Sequence, residues 1–202
     1  MRAALASTAL LSIGFIFALI ARHSAQDSVR EETRVPGRHA IDGTMRVRLG
    51  GIEQSILLRG PGPDAPILLY LHGGPGSPAI PIARTFDGEL IKHFLVVHWD
   101  QRGSGKSFHL DIPTDSMTVE QLIRDTLELT DWLCERFGQE KIFLAGASWG
   151  GALGTYAVQR APERFHAWVP IATLVHGIRG EELSYDYVRA KIVEAGHQGD
   201  LQ

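Results

Sequence analysis

Five residues, Gly146-Ala147-Ser148-Trp149-Gly150, constrain this chain more than any other stretch. They follow the run Lys141-Ile142-Phe143-Leu144-Ala145, which reads as a buried strand. They precede Gly151-Ala152-Leu153-Gly154-Thr155-Tyr156-Ala157-Val158, which reads as a helix. A strand that turns straight into a helix leaves no room for a loop. Glycine must then stand wherever a β-carbon would strike the neighbouring backbone. The serine at the apex is expected to be strained, with its hydroxyl above the sheet. The backbone N–H groups beside it open a helix, where negative charge is favoured. G-x-S-x-G in this setting has the form of a nucleophile elbow. Taken alone it also fits a plain glycine-rich turn, so its meaning depends on what accompanies it.

Two more strand-then-glycine junctions accompany it. Pro66-Ile67-Leu68-Leu69-Tyr70-Leu71 runs into His72-Gly73-Gly74-Pro75-Gly76. An unbroken apolar run closed by glycines reads as a buried parallel strand feeding a loop. Acyl transfer passes through an oxyanion, and glycines let backbone N–H groups face it unobstructed. Phe94-Leu95-Val96-Val97-His98-Trp99 runs into Asp100-Gln101-Arg102-Gly103-Ser104-Gly105-Lys106-Ser107. The end of that loop imitates a phosphate-binding loop, but G-x-x-x-x-G-K-[ST] needs a glycine five residues before Gly105. Asp100 stands there, and an acid would repel phosphate. Asp100 and Arg102 are expected instead to pin a loop that shapes the pocket.

HGGPG, DQRGSGKS and GASWGG, in that order, resemble the proline iminopeptidase branch of the α/β-hydrolase superfamily. The likeness runs from about Asp42 to Val188. It implies a serine hydrolase, aminopeptidase (prolyl)-like, acting on small peptide, amide or ester substrates through Ser148. Elbow geometry makes the Trp149 N–H one oxyanion donor. The resemblance places the other at the second glycine of HGGPG, Gly74. His72 belongs to the same motif, and its expected task is to hold the loop. No cofactor is implied, and no metal-spaced cluster of His or Cys appears.

The remaining triad members are the difficulty. The expected order is Ser, then Asp or Glu, then His. After Ser148 the histidines are His166, His176 and His197. Asp186 and His197 satisfy the order, yet eleven residues of helix separate them by about 16 Å. His166 and His176 flank the strand after the elbow and suit structural or surface roles. The catalytic acid and histidine are therefore not found in this chain. Two other readings stay open: a non-catalytic, membrane-tethered binding module, and an inactive truncated fragment.

The expected fold is a partial α/β-hydrolase: a mostly parallel sheet with flanking helices, its C-terminal third missing, preceded by an N-terminal hydrophobic helix. Ala3–Ala21 carries no charge and is just long enough for a membrane span. His23-Ser24-Ala25 makes a poor signal cleavage site. Residues 1–22 are thus expected to be a signal or membrane anchor, placing the domain at a membrane or outside the cytoplasm. Residues 23–40 read as a linker, 41–176 as the N-terminal part of the hydrolase core, and 177–202 as the start of a helical cap. Ile80–His93 reads as a helix. Thr118–Phe137 reads as another, with Thr118 and Gln121 at capping-box spacing and Gly138 as its stop. Glu181–Ala195 reads as an amphipathic helix, with Leu183, Tyr187, Val188, Ala190, Ile192 and Val193 available for burial. A net charge of −3 offers no basic footprint for nucleic acid. The single cysteine, Cys134, excludes an intrachain disulfide.

Overall fold

The computed structural model describes the backbone of residues 2–197 and the side chains of residues 14–197. Eleven elements follow one another along the chain: α1 (Arg2–Glu32), β1 (Ile41–Leu49), β2 (Ile52–Gly60), β3 (Ile67–Leu71), α2 (Ile80–Phe86), β4 (Leu95–Asp100), α3 (Val119–Phe137), β5 (Ile142–Ala147), α4 (Trp149–Arg160), β6 (Phe165–Ile171) and α5 (Gly177–Glu194). The strands form one sheet in the order β1-β2-β4-β3-β5-β6. β1, β2 and β4 pair antiparallel, whereas β4, β3, β5 and β6 pair parallel. The three glycine-closed strands of the sequence therefore lie side by side and point the same way.

Alternation along the strands sorts the core. Ile67, Leu69 and Leu71 of β3 and Leu95, Val97 and Trp99 of β4 turn to one face. They meet Leu122, Leu129 and Leu133 of α3 and Leu153 of α4 there. The 3-and-4 spacing of α3 is what presents those leucines as one stripe. Thr118 caps α3 by accepting from the Gln121 N–H at 3.1 Å, and Gly138 ends it at φ 66°. Only half of the expected capping box forms, because the Gln121 side chain donates to Asp125 at 2.6 Å instead of turning back.

Four expectations need correction. The membrane anchor is overturned: among the described residues no helix is long and apolar enough to cross a membrane. Ser7, Thr8, Ser12 and Gly14 dilute the apolar run, and charged residues follow it from Arg22 onward. Second, the stretch expected as a linker is helical as far as Glu32. Helix-compatible residues and the exposed pairs His23–Asp27 and Asp27–Arg30 carry the helix through. Third, the helix expected over Ile80–His93 stops at Phe86, where Asp87-Gly88 breaks it before a single 3₁₀ turn at Leu90–Lys92. Fourth, α5 fully buries none of its side chains: Leu183, Tyr187, Val188 and Val193 are exposed and Ile192 is only half-buried.

A buried ion pair joins the loop after β4 to α3. Arg102 donates from Nε to Asp125 Oδ2 at 2.8 Å and from Nη2 to Asp125 Oδ1 at 3.1 Å. Its Nη2 also reaches the carbonyls of Leu49 and Gly50, at 3.3 and 2.9 Å. Gln54 Nε2 donates to Asp125 as well, at 2.8 Å, and Gln54 accepts from the Trp99 indole at 3.0 Å. Asp125 thus receives four donors, and Asp125→Ala would leave the Arg102 guanidinium buried and unpaired. Breaking such a pair costs about 3–5 kcal/mol. We expect a fall of that size in unfolding free energy by urea titration of Asp125→Ala, and little change for the exposed pair variant Glu120→Ala.

Candidate active site

One residue separates β5 from α4, and it is Ser148, at φ 52° and ψ −114°. Positive φ is costly for a residue with a β-carbon, about 1–3 kcal/mol when held in a sparse region. The surroundings impose it. The Ser148 N–H donates to the Ile171 carbonyl at 2.9 Å, and the Ser148 carbonyl accepts from Ala152 N–H at 3.2 Å. The flanking glycines leave no alternative. A β-carbon on Gly150 would lie 2.1 Å from the Leu71 carbonyl oxygen, and one on Gly146 would lie 2.4 Å from that of Gly150. Ser148 is exposed, and among the described residues its hydroxyl has no hydrogen-bond partner. The Trp149 N–H opens the first turn of α4 beside it.

The His72–Gly76 loop comes up to the same place. A β-carbon on Gly73 would stand 3.5 Å from Ser148 Cβ and 3.4 Å from the Ala147 carbonyl oxygen. Gly74 follows at φ 114°, and a β-carbon there would meet the Gly76 and Ser77 nitrogens at 2.6 and 2.8 Å. Glycine is required at 74 by the curl of the loop, whereas at 73 a β-carbon would make ordinary contact with the serine turn, which places the loop against it. Ser148, Trp149 and the Gly73–Gly74 peptide are thus brought together.

His72 is spent on holding this loop. Its Nε2 accepts from the Gln101 N–H at 3.1 Å, so the ring proton resides on Nδ1, 2.8 Å from the Gly73 carbonyl. Burial pushes its pKa below the ordinary histidine range, outweighing the Gly73 contact and the Asp100 charge that act upward. A neutral ring with both nitrogens occupied is a pin. Asp100 and Arg102 serve the loop from separate sides without pairing with each other. Asp100 Oδ2 accepts from the Lys106 N–H at 2.8 Å, and Ser107 Oγ bonds to the Asp100 carbonyl at 2.5 Å. Burial raises the Asp100 pKa, against the Lys106 N–H and nearby positive charges. Arg102 reaches the other way, to Asp125.

Gln101 has no role assigned from the sequence, and it is the cross-brace of the site. Its Nε2 donates to the His72 carbonyl at 3.0 Å, and its Oε1 accepts from the Trp149 indole at 3.1 Å. One side chain therefore ties the glycine loop to the first residue of α4. The only signal in the sequence is its place inside DQRGSGKS, next to residues that already have roles.

The later histidines lie elsewhere. His166 packs its ring on Phe143, with centroids 5.0 Å apart. His176 caps α5, its Nδ1 accepting from Arg179 N–H at 3.1 Å. Asp186 sits within α5, and His197 follows the helix, its N–H donating to the Ile192 carbonyl at 3.0 Å. The described residues hold no cluster of three metal-ligating side chains.

The model of the α/β hydrolase fold matches residues 66–193, the stretch from β3 through α5. The chain belongs to the α/β-hydrolase fold family. Within that family the chain is similar to proteins named as aminopeptidase and proline iminopeptidase. It is 37% identical over 155 residues to a probable aminopeptidase of Bacillus subtilis (strain 168), covering 77% of this chain and 49% of that protein. The crystal structure of the proline iminopeptidase of Mycobacterium smegmatis aligns with a TM-score of 0.60 and 26% identity, over 74% of this chain and 50% of that one. A proline iminopeptidase-related protein of Thermus thermophilus aligns with a TM-score of 0.57 and 30% identity, over 67% of this chain and 46% of that one. The chain spans about half the length of these relatives.

The neutral state of His72 has a measurable sign. Its folded pKa is depressed, so the unfolded chain binds the extra proton more readily, and stability rises with pH. The contribution is full above the ordinary histidine pKa and is lost as pH falls below about 6.5. In His72→Gln, which keeps an acceptor and does not titrate, the thermal midpoint should drop less between about pH 7.5 and pH 5.5 than in the unmodified protein. Equal drops would mean His72 is not held neutral.

Proposed function

We propose that this chain is the nucleophile-bearing part of a serine hydrolase of aminopeptidase type. Its substrates are small peptides, amides or esters, and prolyl amides are the first to try. Ser148 is the nucleophile in this reading. Trp149 N–H and Gly74 N–H are the oxyanion donors. His72, Asp100, Gln101 and Arg102 hold the two loops in register. The observation that carries the reading is Ser148 itself: a lone junction residue at positive φ, exposed, at a helix N-terminus, against a glycine loop. A structural serine gains nothing from that strain, whereas a nucleophile gains an unobstructed line to a carbonyl carbon. Residues 41–176 form the N-terminal part of the hydrolase core in this scheme, and 177–202 open a cap.

The chemistry sets the expected rate. The Ser148 hydroxyl must lose a proton as it attacks, and no acid–base pair stands beside it among the described residues. The developing oxyanion is still met by two N–H groups and the start of α4. Removing the base from a triad leaves only the residual rate from the oxyanion hole and binding, about 10⁴-fold or more below the intact enzyme. We expect these 202 residues to hydrolyse a chromogenic ester and a prolyl anilide at least about a thousandfold more slowly than a full-length relative. Ser148→Ala should change that residual rate little, because without a base the serine adds little to it. Slow covalent labelling by a fluorophosphonate, mapped by mass spectrometry to a residue other than Ser148, would sink the assignment of the nucleophile. Full turnover that Ser148→Ala abolishes would instead reveal a base, with His176 and His197 the residues to replace next.

Gln101 gives a second test. Gln101→Leu removes both bonds of the brace while keeping much of the volume. It should lower residual ester turnover by about tenfold or more, in the range of a lost positioning contact. Gln101→Glu keeps the acceptor for Trp149 and should retain part of the rate. Equal rates in all three proteins would show that the brace has no bearing on the serine.

A further inference from the structure

Among the described residues two positions other than glycine have positive φ: Ser148 at 52° and Ala172 at 47°. They stand next to each other at one edge of the sheet. β5 and β6 run parallel with Ala147 opposite Ile171, and each strained residue directly follows its strand's last paired residue. Left-handed backbone is unfavourable for a residue with a β-carbon, so it persists only where the surroundings hold it. Ala172 is exposed, so no neighbour forces its own side chain into that shape.

The contacts on either side of Ala172 hold it. Before it, the Ile171 carbonyl accepts from the Ser148 N–H at 2.9 Å. After it, Thr173 is seated on the first turn of α4: a β-carbon on Gly151 would lie 2.3 Å from Thr173 Oγ1 and 2.5 Å from Thr173 Cβ. The φ of Ala172 sets the angle between the Ile171 carbonyl and the chain that leads on to Thr173. Both contacts together therefore fix it.

The serine turn is gripped from two sides as a result. Gly150 lies against the Leu71 carbonyl and Gly151 lies against Thr173. The Thr173 hydroxyl is buried and has no hydrogen-bond partner among the described residues, so its polarity adds nothing to the grip. Its branched shape is what fills the space beside Gly151. We propose that Ala172 and Thr173 are positioning residues for the serine turn. The left-handed kink aims the Ile171 carbonyl at the Ser148 N–H and presses Thr173 onto Gly151. Their effect on reactivity rests on the reading of Ser148 as the nucleophile; the clamp itself does not.

Two readouts on the full chain separate those claims. One is hydrogen exchange of the Ser148 amide by NMR. The other is the rate at which Ser148 Oγ displaces fluoride from a fluorophosphonate, followed by mass spectrometry over a range of reagent concentrations. Ala172→Val has room for its side chain, but a β-branched residue resists positive φ. It should speed Ser148 amide exchange by about tenfold or more and slow the chemical step of labelling by about tenfold, with reagent binding unchanged. Ala172→Gly, free to adopt the same φ, should keep both within about threefold. Thr173→Val keeps the shape and should label like the unmodified chain. Thr173→Gly should behave like Ala172→Val, and covers the case in which that variant fails to fold. Unchanged exchange and labelling in Ala172→Val and Thr173→Gly would overturn the proposal. So would equal losses in Ala172→Gly, a loss in Thr173→Val as large as in Thr173→Gly, or exchange that quickens equally across β3 and β5. If no protein labels at Ser148, the nucleophile reading falls and the claim on reactivity with it, while the Ser148 amide still decides the clamp.

Discussion

β3 and β5 lie side by side and parallel, from Leu68 opposite Phe143 to Leu71 opposite Gly146, and the candidate site depends on that pairing. Parallel neighbours end at the same edge of the sheet, where ligands of open α/β sheets collect. The loop after Leu71 and the turn after Ala147 therefore start within one strand spacing of each other. Side-chain volume is the only thing that could keep them apart, and both are made of glycine where they meet. The 2.1 Å that a β-carbon on Gly150 would leave to the Leu71 carbonyl measures how little room remains. Strain at Ser148 is then a consequence of local crowding, held in place by strands that are themselves buried.

Around that crossing the polar groups work as ties between elements. Gln101 links the glycine loop to α4, His72 links it to the end of β4, and Arg102 links the following loop to α3 through Asp125. Each tie uses a buried donor or acceptor that the fold would otherwise leave unsatisfied. The result is a site positioned by sheet and helix backbone and braced by side chains that are themselves buried. Such rigidity suits a reaction in which the donors must be in place before charge develops.

Much of this is legible in the sequence, for physical reasons. Unbroken apolar runs closed by glycine mark buried parallel strands, and three of them mark β3, β4 and β5. α3 is legible because its stripe, its Thr118 cap and its Gly138 stop agree with one another. What escapes reading depends on distance in space. Asp125 is an acid on an apolar face until Arg102, Gln54 and Gln121 are seen around it. Gln101 is an unremarked polar residue until His72 and Trp149 flank it. The N-terminal segment misleads for a different reason: it lacks charge, but Ser7, Thr8 and Ser12 lower its hydropathy below what a span needs. α5 is legible as a helix and misleading as a packed one, because periodicity reports what a face could bury and not whether a neighbour is there.

That last helix behaves differently from the sheet and from the helices packed on it. A helix of 18 residues with no buried side chain draws no support from packing, and isolated helices of about this length are marginal in water. Its exposed pairs, Arg179–Glu182 and Lys191–Glu194, add a few tenths of a kcal/mol each. Gly177 and Gly180 in the first turns subtract more than that. Its amides should then exchange with solvent through local opening and not through global unfolding. In a hydrogen-exchange experiment the chain would divide at the end of β6: slow, uniform protection across β3, β4 and β5, and almost none from Gly177 to Glu194. A protease offered the folded protein would make its first cuts in the same segment, leaving the sheet and the serine turn in one piece.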